Sequence, residues 1–160
     1  MASDTFETRG IGSVLGGGDS ERKSAVVYSG ETIKAGYAIY VAAGYAYAAK
    51  NSDNYVSGIA CEKTGTAIDT AFTAGDTIEY FPVGQDTWAW CLLLPASPVA
   101  NLAEGEQVIV SATDGFLMKW AYANATEKSD TPTWRVGRVL KDQTGSKTEN
   151  KLILVNLGAS

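Results

Sequence analysis

Five carboxylates, Asp76, Glu79, Asp86, Glu104 and Glu106, are the side chains of this sequence with the clearest capacity for chemistry. Two acids at a set separation on either side of a sugar suffice to hydrolyse a glycosidic bond. Each of these acids, however, stands at a turn or on the solvent side of an alternating run, where an acid belongs anyway, so their spacing singles out no catalytic pair. The 160 residues contain no histidine, which removes Ser-His and Cys-His nucleophile pairs, imidazole bases and most zinc sites together. Gly10-Ile11-Gly12-Ser13-Val14-Leu15-Gly16 approaches a dinucleotide fingerprint, but its spacing is one residue too long and the polar stretch Asp4 to Arg9 precedes it in place of a strand. Gly16-Gly17-Gly18 lacks the Gly-Lys-Ser/Thr ending of a phosphate loop, so both segments are expected to be flexible arm. Cys61 and Cys91 lack metal-ligand spacing and are expected to be buried thiols, a disulfide being the alternative. The expectation is a protein that is not an enzyme, with no catalytic residues, no cofactor and no metal.

The elements that carry these residues follow from composition and period. At 45% apolar and 19% charged residues the chain is globular in character, and its length suits one domain that buries about 70% of its unfolded surface. The net charge of −5, with Arg22-Lys23 as the basic pair, points away from a nucleic-acid partner. No apolar run nears the roughly 18 residues that suggest a membrane helix, and the start lacks a secretory leader pattern. No membrane partner is expected, and synthesis in a cytoplasm is.

Residues 1–24 form a polar, glycine-rich arm whose partner-binding candidates are Phe6, Arg9, Ile11, Val14 and Leu15. From Ala25 onward short alternations recur, among them Tyr37-Ile39-Val41, Tyr45-Tyr47, Ile78-Tyr80, Val108-Val110 and Leu152-Leu154, and period two means strands. About ten strands fit residues 25–160, which predicts an all-β fold, a single small barrel or sandwich with an extended N-terminal arm. Asp114-Gly115 between two such runs predicts a tight hairpin. Ile33 to Ile39, Phe72 to Ile78 and Leu102 to Val108 share one skeleton: an apolar residue, two spacers, glycine, two spacers, an apolar residue. Glycine accepts the positive φ of a tight bend, so each copy is expected to be a turn feeding a strand. Trp88-Ala89-Trp90-Cys91-Leu92-Leu93-Leu94 is apolar on both faces, which predicts a strand buried on both sides, its second face covered by the arm or a neighbouring subunit, core packing alone being the alternative. Trp88 and Trp90 therefore join the partner-binding candidates.

Several stretches taken in order resemble the head decoration, or cement, proteins of tailed bacteriophages. They are Gly30 to Gly36, Ser57 to Ala60, Thr73 to Ile78, Leu102 to Val110 with Asp114-Gly115, and Val136 to Leu140, and the likeness spans residues 25–157. The resemblance implies a compact β domain, commonly a homotrimer, that binds the major capsid protein on the outer surface of the head and clamps neighbouring capsomers. Two other functions fit the residues: a carbohydrate-binding module using Trp88 or Trp120 with nearby tyrosines, and a carboxylate glycosidase. A tail or baseplate component is a further alternative within the structural class.

Overall fold

The computed structural model describes residues 16–18, 22–50, 55–63, 70–84, 87–93, 102–111, 113, 115–119, 135–140 and 151–158. Phe6, Arg9, Ile11, Val14, Leu15, Asp86, Asp114 and Trp120 lie outside them. The described residues form an all-β architecture, as the alternations predict, with eleven strands and no helix. In chain order the strands are β1 (Gly16–Gly18), β2 (Lys23–Val27), β3 (Ala38–Ala42), β4 (Tyr45–Ala48), β5 (Gly58–Ala60), β6 (Thr77–Pro82), β7 (Thr87–Leu93), β8 (Gln107–Val110), β9 (Leu117–Lys119), β10 (Arg135–Val139) and β11 (Lys151–Asn156).

The small-barrel motif occurs twice. Strands β2-β4-β3-β5-β6 close a barrel, and the second sheet runs β1-β7-β11-β10-β8-β9, with β9 returning to β7. Setting β1 aside, each ring has five strands in the same cyclic order, and each contains one parallel pair, β2 with β4 and β7 with β9. The correspondence holds at the level of register. Ile39 faces Gly58 where Val108 faces Gly137, and Ile59 faces Phe81 where Arg138 faces Asn156. Ala25 faces Ile78 where Cys91 faces Ile153.

The recurring glycine skeleton explains how both rings are stitched. Gly36, Gly75 and Gly105 have φ of 85°, 87° and 87°, and in each turn the residue after glycine donates to the carbonyl three positions back: Tyr37 to Lys34, Asp76 to Thr73, Glu106 to Ala103. This is the bond pattern of a type II turn, whose third position needs positive φ. The glycine N–H then reaches a neighbouring strand, at Ala60, Val27 and Val139 respectively, and that same residue donates back to the carbonyl of the residue after glycine. Each copy is thus a turn and a two-point strand pairing in one, and the expected structural role holds for all three. Val27-Tyr28-Ser29-Gly30-Glu31-Thr32-Ile33 is a further copy that the sequence reading passes over: Gly30 has φ of 90° and Glu31 donates to Tyr28.

Inside the first barrel, alternate residues converge on Ile33, Ile39, Phe72 and Ile78, with Ala46 and Ala48 filling the narrow side. A larger cluster spans both rings, joining Ile59, Cys61 and Phe81 to Cys91, Val108, Leu117 and Ile153. Burying side chains of this kind contributes about 1.5–3 kcal/mol each. The two cysteines are free and buried in it, and burial pushes both thiols up. The rings are also bonded directly: Leu92 donates to Gly36, Ala38 to Gly115, Gly115 to Ala49 and Gly84 to Leu157.

Two local expectations change. Gly16-Gly17-Gly18, expected to be flexible arm, is instead an edge strand paired antiparallel with Ala89, Trp88 and Thr87, because the open edge of β7 offers unpaired backbone groups that any extended segment can satisfy. The β8–β9 hairpin forms as predicted, but its loop is wider than a tight two-residue turn: Ser111 donates to Phe116, closing the loop between them. Bonds from Gly115 to the first barrel hold that wider loop in place.

The tight turn occurs between β3 and β4, where Ala43 and Gly44 both take positive φ, 52° and 82°. That is a type I′ turn, which favours Asn-Gly. Relieving alanine of the left-handed region should therefore stabilise the protein. Ala43→Asn is expected to raise the melting temperature by about 2–4 °C, the shift that ~1 kcal/mol gives at this size. Thermal unfolding checks it, and an unchanged or lowered midpoint would count against the turn assignment.

Candidate interaction surface

Strand β7 meets its surroundings unevenly. On one face, Ala89 and Cys91 are fully buried in the shared core. On the other, Leu92 is buried against Ala35, with Tyr37, Trp90 and Phe116 packed around it, while Trp88 remains 38% exposed. The second face of the strand is thus covered by the first barrel and the β8–β9 loop at the Leu92 end and opens toward solvent at Trp88. Of the two tryptophans predicted to bind a partner, the structure makes Trp90 largely a packing residue and leaves Trp88 available.

Two of the acids, Asp76 and Glu79, are engaged in structural contacts. Asp76 accepts from the backbone N–H of Thr73 at 2.9 Å and pairs with Lys63 at 3.2 Å, so it caps its own turn. These hydrogen bonds, the backbone one foremost, hold its carboxyl below the usual carboxylate range, the opposite of the shift a catalytic general acid requires. Glu79 lies 3.5 Å from Arg22, which also pairs with Glu62 at 2.9 Å and stands over the Phe81 ring at 4.9 Å. Because the folded carboxyl of Asp76 has the lower pKa, its contribution to stability is complete above the ordinary value of 3.8 and is lost as pH falls below it. Asp76→Asn is expected to lower stability above about pH 5, where that contribution is complete, and to leave stability in strong acid nearly unchanged, so that the acid limb flattens. An acid limb as steep as in the unmodified protein would contradict the assignment.

The surface that sequence reasoning missed is made of tyrosines. Tyr40 on β3 is paired directly with Tyr47 on β4, and Tyr28, just past β2, lies beside β4 through its N–H bond to Ala46. Neighbouring strands lie about 4.7–4.9 Å apart, and the rings inherit that spacing. Tyr40 stacks on Tyr47 with centroids 4.7 Å apart and planes 11° apart, and Tyr28 lies 4.7 Å from Tyr47 at 31°. Tyr45 closes one end of the row edge-on against Tyr28, and Tyr55 closes the other edge-on against Tyr40. Tyr55 is fixed by donating its hydroxyl to the carbonyl of Val41. Tyr28, Tyr45 and Tyr55 are 43%, 45% and 42% exposed, and Val26 beside them is 37% exposed. The available signal was the alternation Tyr45-Ala46-Tyr47-Ala48, whose alanines face the barrel interior and whose tyrosines therefore face out.

Glu31 completes the row. The turn at Gly30 bonds Glu31 back to Tyr28, and its carboxylate accepts weakly from the N–H of Ala48 at 3.3 Å. Partial desolvation and the neighbouring Tyr28 and Glu31 push the Tyr47 phenol up, so it stays a protonated donor.

No protein-family model matches the chain. A search of curated proteins likewise finds no match. Among solved structures, the chain is similar to the N base of the head fiber protein gp8.5 of bacteriophage phi29, with a TM-score of 0.49 and 11% sequence identity over 86% of this chain and 94% of that one. At that score and identity the likeness carries no argument about function.

Proposed function

We propose that this chain is a non-catalytic structural protein of a bacteriophage virion, seated on the outer surface of the head, where it binds the major capsid protein and stabilises the shell by bridging neighbouring capsomers. The observation that carries the reading is the gathering of exposed large apolar side chains. Among the described residues six are exposed, and Val26, Tyr28, Tyr45 and Tyr55 fall on one face of the first barrel. A contiguous patch of that kind marks an interaction site, and tyrosine is enriched at such sites because it joins apolar area to a polar tip. The order of turn-and-strand segments resembling head decoration proteins supplies the partner.

On this reading three copies group on the shell, and the N-terminal arm adds attachment through Phe6, Arg9, Ile11, Val14 and Leu15. Linking three weak contacts raises avidity by about 10²–10⁴ without new kinds of contact. Deleting residues 2–15, which spares β1 and β2, is expected to leave the melting temperature nearly unchanged and to lower binding to undecorated shells by about 100-fold. Unchanged shell binding would remove the arm from the account. Copies scattered singly over the lattice, without threefold grouping, would remove the trimer.

A further inference from the structure

The tyrosine row is more specific than a generic apolar patch. We propose that the Tyr28–Tyr47–Tyr40 row with Glu31 is a receptor for arginine side chains presented by a protein partner, a refinement that rests on the tyrosine face being the attachment surface. Three observations lead there. First, Glu31 stands beside the row with no cation paired to it among the described residues, and the hydrogen bond its carboxylate accepts from Ala48 is long at 3.3 Å. A carboxylate next to aromatic rings suits a guanidinium, which takes the carboxylate through its N–H fork and lies on an open ring. Second, the end rings Tyr45 and Tyr55 meet their neighbours edge-on, at 82° and 81°, so they do not cover each other as the central rings do. Third, the net charge of −5 favours a basic partner over an acidic one.

The duplicated barrel supplies a comparison within the molecule. Ile109 holds in the second ring the place that Tyr40 holds in the first, and Ile109 is only 1% exposed. That position is therefore closed in one ring and half-open, at Tyr40, in the other. Its size argues for an anchor rather than a dimer seam. Tyrosines worth about 150–250 Å² each when fully buried, less than half exposed here, offer roughly 300–500 Å². A standard interface needs about 800 Å² from each partner, so the row alone is too small for a dimer seam and suits an anchor within a wider contact.

The test uses the full chain and a short glycine-serine peptide carrying two arginines, with lysine and citrulline versions, followed by tyrosine ring chemical shifts. Arginine peptide is expected to shift Tyr28, Tyr45 and Tyr47 and to bind about threefold tighter than lysine. Citrulline, neutral and of the same shape, should not bind measurably. Glu31→Gln, which keeps an acceptor for Ala48, should weaken the arginine peptide about fivefold, and Tyr45→Ser should weaken it while the shifts elsewhere persist. Equal binding of arginine and citrulline, no effect of Glu31→Gln, shifts confined to Trp88, or no binding of any peptide would each overturn the proposal. Attachment to undecorated shells, measured in parallel, separates the two levels: attachment that ignores Glu31→Gln defeats the arginine receptor alone, and failure of the unmodified chain to attach defeats the capsid reading.

Discussion

Gly137→Ala is expected to lower the stability of the protein by about 3 kcal/mol or more, and Gly58→Ala by a similar amount. The two glycines hold equivalent places in the two rings. A Cβ at Gly137 would fall within hard-sphere contact of the carbonyl oxygen of Asn156 and lie 2.9 Å from its carbonyl carbon and from Cγ1 of Val155. At Gly58 it would meet the carbonyl oxygen of Phe81 and the ring of Tyr80. These obstacles are the backbones of partner strands, which cannot retreat without losing the ladder. Gly75→Ala is the control: nothing lies within 4 Å of the added carbon, but φ is +87°, so left-handed strain alone should cost about 1–2 kcal/mol. Urea unfolding of the three variants should rank them in that order. Losses below 1 kcal/mol at both Gly58 and Gly137 would contradict the close strand approach and, with it, the equivalence of the rings.

The second large effect concerns attachment. Tyr28→Ser combined with Tyr45→Ser is expected to weaken binding to undecorated shells by a factor of about 30 or more, the cost of one good aromatic anchor of ~2 kcal/mol. Both side chains are more than 40% exposed, so the melting temperature should move by no more than a few degrees. That separation of binding from stability distinguishes a docking face from a packing role. Full shell binding by the double variant would shift the attachment surface to Trp88 or the arm, whereas a collapsed fold would show that the row supports the barrel.

Much of the fold is legible in the sequence because its two periods are local. Alternation along Thr77 to Pro82 or Tyr45 to Ala48 fixes which side chains face inward, and the glycine of each turn skeleton announces a bend whose stereochemistry admits few other residues. The duplication was not legible, although its clearest marks were present: Gly36 and Gly105 before equivalent strands, and Gly58 and Gly137 within equivalent strands. Between these marks the side chains differ, Ile59 answering to Arg138 and Tyr40 to Ile109, because each ring packs its outer face against different neighbours. The interaction surface was hidden for a related reason. Tyr40 and Tyr47 meet through the local β3–β4 hairpin, but Tyr28 joins them only because β4 lies between β2 and β3, a parallel insertion that no local pattern specifies. Tryptophans drew the sequence reading toward Trp88 and Trp90, where the structure finds one residue exposed and one mostly packed.

The central proposal is that this chain sits on the outside of a phage head. Antibody labelling of this chain on intact, purified particles, viewed by electron microscopy, tests it most directly. The account predicts label distributed over the head exterior, in clusters of three copies where single sites are resolved. Label confined to the tail, or particles free of the chain altogether, would contradict it.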